Sequence, residues 1–322
     1  MILKSLIVSG LLLASATISY AETKGYLYRK AGDDAFYVDK KHENGVKAIR
    51  DGNWTKALSE LESCLEFYVK YGREGLLYRD STRSTIPTDT MVMYDPRYNA
   101  VRYSLAVANA RVAAELLRGG ELPRADSLTG RAMFLVQHVK GADGPDLIDA
   151  LRDLSSSNRA AGRYPEAEKV ARKAVNSADC GLEEHDPVRA IAYLNLGEVY
   201  LSQDKLYDAE SPLLIAIDVL DSCSARKGDW QQPCRAAAIE ARCLLATMYG
   251  RSNQTPQMDS LFDEALAHLE AAKKPLNVPQ VDSLIEGYVR SVRASDATRA
   301  MLIEKRIATE LARREKEYSS KK

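Results

Sequence analysis

Two stretches of this chain repeat one another forty-two residues apart, and that spacing limits the fold more than any other feature. GRYPEAEKVARKAV (Gly162 to Val175) and DKLYDAESPLLIAI (Asp204 to Ile217) return small and apolar residues to the same phases, with Ala167 matched to Ala209. A fixed period of this size belongs to arrays of helical pairs. One such pair cannot bury its apolar face alone, so it stacks on its neighbours.

Setting the phases on Gly197 gives a unit that starts at Ala190. Tyr193, Leu196, Gly197 and Tyr200 then share one helical face by their i, i+3, i+4, i+7 spacing, and Ala209, Leu213 and Ala216 mark a second helix. Matching units start at Val38, Ala106, Ile148 and Ile239. One position of the first helix reads Gly45, Ala113, Ser155, Gly197, Ala246 through these units. Its counterpart on the second helix reads Ala57, Ala125, Ala167, Ala209, Met258. Two helices cross closely only where both present little volume, so these columns predict the crossing points and leave Met258 as the departure. Between the helices stand Gly52, Gly120, Gly162, Asp204 and Asn253, residue types that accept a left-handed conformation at a helix C-terminus.

These phases resemble the tetratricopeptide repeat (TPR). The starts at 106, 148 and 190 are each forty-two residues apart, and the loop Gly181 to Pro187 (GLEEHDP) leads into Ala190 to Leu196. This is similar to the kinesin-light-chain type of repeat, in which a His-Pro-Asp-like loop precedes a Leu-Asn-Asn-Leu-Ala-like helix. Here the order is His185-Asp186-Pro187, and the helix reads Tyr193-Leu194-Asn195-Leu196-Gly197. The resemblance covers residues 38–272. It implies an all-α, right-handed α-solenoid of TPR-like hairpins whose first helices line a concave groove for a protein or peptide. Carried across by phase, the groove positions are Asp149, Arg152, Ser156 and Arg159 in one unit and Ile191, Leu194, Glu198 and Leu201 in the next. Asn195 approximates the family's groove asparagine. The first set is polar and the second more apolar, which suits a ligand of mixed character. An apolar stripe such as Ile191, Leu194 and Leu201 equally suits packing within the array.

The pattern continues beyond the repeats. Val281, Leu284, Ile285, Tyr288, Val289 and Val292 form a further helical stripe. A last helix from Ala297 to Tyr318 carries Ile303, Ile307 and Leu311 on one side, so residues 273–322 read as capping helices. The first two units start 68 residues apart (38 and 106), leaving an insertion at 73–100 that is either functional or an excursion without a role in binding. At the other end, Lys4, an apolar run from Leu6 to Ala16, and Ser19-Tyr20-Ala21 form a secretory signal peptide, with cleavage expected after Ala21 and an extension at 22–37. A retained anchor is the rival reading. The run is broken by Ser9, Gly10 and Ser15, however, and falls short of the ~20 residues a span requires. Export to a periplasm or beyond is therefore expected.

The chain carries 45 basic and 45 acidic side chains, so no broad basic field is available to hold nucleic acid. Of the five cysteines, Cys223 and Cys234 flank the polar stretch SARKGDWQQP and could close its base as a disulfide. The alternative is that all five are small buried residues. His42, His138, His185 and His268 have no partner at a recognisable catalytic motif. His138 and His268 fall late in second helices, where the helix dipole favours a cation. No metal ligation, cofactor or enzymatic activity is expected. The reading is an exported scaffold for protein–protein interaction. A self-associating envelope component is the alternative, and an exported enzyme with a repeat platform ranks third.

Overall fold

The computed structural model describes residues 33–73, 96–136, 144–226, 228–272 and 279–319. Residues 1–21, where a signal peptide is expected, most of the expected extension, residues 74–95 of the insertion and His138 lie outside these. The fold is all-α, with twelve helices and no strand among the described residues. In chain order they are α1 (Asp33–Arg50), α2 (Trp54–Arg73), α3 (Pro96–Arg118), α4 (Leu122–Leu135), α5 (Pro145–Ala160), α6 (Tyr164–Gly181), α7 (Pro187–Ser202), α8 (Leu206–Ala225), α9 (Gln231–Arg251), α10 (Thr255–Glu270), α11 (Pro279–Ser295) and α12 (Ala297–Ser319). Residues 96–100, expected to belong to the insertion, are the first turns of α3. Likewise α9 begins at Gln231, eight residues ahead of the unit start at Ile239. Proline at the head of α3, α5, α7 and α11 suits a first helical position, where a missing N–H costs nothing.

Each turn expected from the sequence is a left-handed stop. Gly52, Gly120, Gly162, Asp204 and Asn253 all have positive φ, between 59° and 80°. The residue after each returns its N–H to a carbonyl five positions back: Asn53 to Ala48 (2.8 Å), Glu121 to Leu116 (2.9 Å), Arg163 to Asn158 (2.9 Å), Lys205 to Tyr200 (3.0 Å) and Gln254 to Tyr249 (2.8 Å). That is the Schellman closure, which satisfies the last carbonyls of a helix while turning the chain.

The crossings are as close as the small residues allow. A Cβ at Gly45 would lie 2.6 Å from Leu61, and one at Gly197 would lie 2.6 Å from Leu213. Ala57, Ala113, Ala125, Ala167, Ala209 and Ala246 are fully buried. Met258 breaks the column, and the structure shows what compensates. Gly250, one turn beyond Ala246, stands opposite it, so that a Cβ there would meet the Met258 sulfur at 2.6 Å. The small residue has moved to the facing helix.

The chain divides into two compact units, 1–163 with 176–181, and 164–175 with 182–322. In the first, α2 packs on α1 and α3, while α3 packs on α4 and α5. Its N-terminal core joins Val38, Cys64, Tyr68 and Val101, with Tyr68 edge-on to Tyr98 at 5.9 Å. In the second, α7, α8, α9 and α10 pack in sequence, and α11 lies on α9 and α12. Of the expected stripe of α11, Val281, Ile285, Tyr288, Val289 and Val292 are buried with Phe262, Leu266 and Ile303 in one core, and Leu284 packs half-buried against it. Phe262 stacks on Tyr288 with centroids 4.0 Å apart. The Tyr288 hydroxyl donates to Asp259 (2.9 Å), which also accepts from Arg299 (2.6 Å). The Leu311 side chain lies outside those described.

Candidate functional site

The two expected groove rows fall in different units. In the first unit, α5 buries Leu147, Ile148, Ala150, Leu151, Leu154 and Ser155, which leaves Asp149, Arg152, Ser156 and Arg159 half-buried along its other side. Pro145 opens the helix. Its unsatisfied N-terminal donors are met from a neighbouring element, the Leu147 N–H donating to the Tyr103 hydroxyl of α3 (3.1 Å). That contact fixes where the α5 face begins.

Beside this face, α3 supplies two arginines one double turn apart. Arg111 donates to Asp149 and, at 3.2 Å, to Asp153. Arg118 donates to the other oxygen of Asp153 (3.0 Å) and to the Ser157 hydroxyl (3.1 Å), while Arg152 donates to Asp149 at 2.6 Å. Burial opposes ionisation of Asp149, but the charges of Arg152 and Arg111 outweigh it and hold the carboxyl below its ordinary range. Both oxygens of Asp149 are thus engaged by guanidinium groups. The carboxylate fixes two cations in place and presents little free negative charge.

Arg111, Arg118 and Asp153 were not among the residues expected from the sequence. The signal for two of them was available, because Arg111 and Asp153 occupy the same phase of successive units, forty-two residues apart, with opposite charge. A column that alternates in sign between neighbouring repeats reads as a ladder. Tyr103 left no such signal.

In the second unit the expected row narrows. Leu194, Asn195 and Leu201 are buried on α7, so they serve the interior of the array; Ile191 and Glu198 remain half-buried. The physical reason is that α7 is apolar on most of its circumference, with Ala190, Ala192, Leu196, Gly197, Val199 and Tyr200 buried as well. In the loop before it, the capping role falls to Asp186, whose carboxylate accepts from the Val188 N–H at 2.7 Å; His185 is exposed.

The polar centre of this unit lies on Glu168 of α6. It accepts from Lys205 (2.6 Å), Gln203 (2.9 Å) and Arg172 (2.9 Å). Burial alone would raise its pKa, but these donors hold it at about 2. Arg172 and Lys205 also approach the Tyr200 ring, at 5.4 and 5.9 Å from its centroid. Nearer the C-terminus, Arg242 clasps Asp221 through two hydrogen bonds (3.1 and 2.5 Å) and reaches Glu264. His268, expected to gain a proton from the helix dipole, is instead held below its ordinary pKa, first by burial and then by the Arg242 charge. Among the described residues no group of three or more His, Cys, Asp or Glu could hold a metal ion, and no helix is long and apolar enough to cross a membrane.

No family model and no curated protein matches the chain. Among solved structures it is similar to a putative kinesin light chain with nearly identical TPR-like repeats from Podosopora anserina. That structure is 16% identical over 72% of this chain and 94% of its own, with a TM-score of 0.41. A single-residue variant of the same protein is 17% identical, with coverages of 72% and 93% and a TM-score of 0.40. BtubC (BKLC) from P. vanneervenii is 16% identical over 80% of this chain and 89% of its own, with a TM-score of 0.45. The repeat assignment itself rests on the five left-handed turns and the small-residue crossings.

Proposed function

We propose that this chain is an exported interaction scaffold that holds a protein or peptide partner against the charged face of α5. An all-α repeat fold spends one side of each helix on its neighbours and leaves an extended surface for recognition. The observation that carries the reading is the Arg–Asp ladder. Asp149 and Asp153 pin arginines whose side chains stay substantially open, Arg118 at 52% and Arg152 at 41%. Guanidinium groups fixed in this way present pre-organised donors, suited to carboxylates and backbone carbonyls of a segment lying along the helix. Export rests on the N-terminal sequence at 1–21, whose charge, apolar run and small residues follow the secretory pattern.

Partner capture from the native compartment, with the full chain as bait, tests this. The Arg152→Glu, Arg159→Glu chain is expected to lose its captured protein by about tenfold or more while keeping its helical circular dichroism. Arg152→Gln with Arg159→Gln should give an intermediate loss, without placing a new acid beside Asp149. Capture unchanged in both variants would refute the α5 assignment. A second reading, self-association, is favoured by Met301 and Leu302, adjacent on α12 and 61% and 60% exposed. Sedimentation that shifts with concentration, and stops shifting in Met301→Lys, would support it.

A further inference from the structure

The ladder does not involve Cys223 and Cys234, which are buried where α8 meets α9. Cys223 sits in the last turn of α8 and Cys234 in the first turn of α9, so the polar stretch between the helices is only residues 226–230, shorter than the sequence suggested. The two sulfurs are 2.6 Å apart. That is well inside the contact distance of unbonded sulfurs and within about half an ångström of the ~2.05 Å bond. Backbone hydrogen bonds hold both ends: Cys234 N–H donates to the Trp230 carbonyl (2.9 Å), and the Cys223 carbonyl accepts from Arg226 N–H (3.1 Å). The other three cysteines differ. Cys64 and Cys243 are fully buried, with burial pushing each thiol up to about 12, and Cys180 is exposed.

We infer that Cys223 and Cys234 form an intramolecular disulfide by exchange with an external disulfide, fastening the end of α8 to the start of α9. Cys223 is the more open of the two, 7% exposed against 1%, and makes the first attack. Its thiolate displaces one thiol from the external disulfide and leaves a mixed disulfide on Cys223. Cys234 then attacks the Cys223 sulfur and releases the second thiol. Two protein thiols are oxidised, one small-molecule disulfide is reduced to two thiols, and two protons pass to the departing sulfurs. Burial pushes the Cys234 thiol upward, so the second step is slow at neutral pH and speeds up as pH rises.

The test uses the full chain, purified reduced and then exposed to oxidised glutathione. The expected product has lost two thiol hydrogens, about 2 Da, apart from any glutathione adduct on the exposed Cys180, and digestion without reductant should yield one peptide pair joined through Cys223 and Cys234. Cys234→Ser should stop at a glutathione adduct on Cys223, and Cys180→Ser should behave as the parent. Amide exchange in the first turn of α9 should slow severalfold on oxidation of the parent and not of Cys234→Ser. The inference is overturned if the parent accumulates only adducts, if the joined peptides contain Cys64, Cys180 or Cys243, or if exchange at α9 is indifferent to oxidation. The peptide mapping needs only the parent, so a variant that folds poorly does not blunt it.

Discussion

At the scale of single residues, the fold depends on where volume is missing. The Gly197 backbone lies so close to Leu213 that an added methyl must displace a branched carbon. Gly197→Ala gains about 1 kcal/mol of helix propensity but incurs overpacking of about 1–3 kcal/mol, so a net loss of about 1 kcal/mol is expected in denaturant unfolding. Adding Leu213→Ala should cost less in that background than alone, which a double-mutant cycle will show as a coupling between the two sites. Equal costs in both backgrounds would mean the crossing is looser than it looks. This layer was legible in advance, because hairpin crossings and left-handed turns are set by one residue type at one phase. Gly45, Gly197 and the five turn residues occupy the roles their spacing gave them. Tyr103 was not legible, since a hydroxyl meeting a helix end forty-four positions away depends on the lateral seating of two helices.

At the scale of elements, the question is what keeps the last helix down. Arg313 of α12 reaches the C-terminus of α10, donating to the Ala272 carbonyl (2.6 Å) and the Leu269 carbonyl (3.0 Å), and it is held in place by Glu310. A cation at the carbonyl end of a helix donates to carbonyls that lack an intrahelical N–H partner and complements the helix dipole. Arg313→Met keeps the aliphatic stem and removes those bonds. It is expected to cost about 2 kcal/mol and to raise amide exchange in α12 before any other helix opens. Exchange rising uniformly through the unit would instead mark α12 as part of one cooperative block. The helices themselves were readable from periodicity, down to the buried stripe of α11. The groove row on α7 was not, because an apolar residue at a ligand-facing phase and one at a packing phase are written with the same letters. Leu194 and Leu201 turned out to be interior. The polar row on α5 was easier to place, since charged side chains rarely go fully under.

At the scale of the whole molecule, acidic and basic side chains balance, and their pairing sets the pH response. Glu168 is held at about 2 against an ordinary 4.5, and Asp149 and Glu270 are also shifted downward. A carboxyl depressed in the folded chain contributes stability above its unfolded pKa and loses it as pH falls through the folded value. Stability should therefore decline from about pH 4.5 toward pH 2, and Glu168→Gln should flatten that decline while lowering stability at pH 7. Asp186, raised by burial, works the other way: protonation eases its burial, so it offsets part of the loss. A thermal-melt series in which the parent and Glu168→Gln run parallel through this range would rule out Glu168 as a contributor.

The exchange of bulk between Gly250 and Met258 bears on how such a chain can change over time. What is held constant at that crossing is the sum of two side chains, while the identity of either position is free. A lineage can trade a small residue for a large one on one helix if the opposite helix gives way, and the hairpin keeps its packing while its consensus erodes. Repeats drifting in this manner lose their mutual likeness pair by pair, each completed exchange leaving the crossing packed although its first step alone carries a cost. The positions to follow between relatives are therefore facing couples across a crossing, read together.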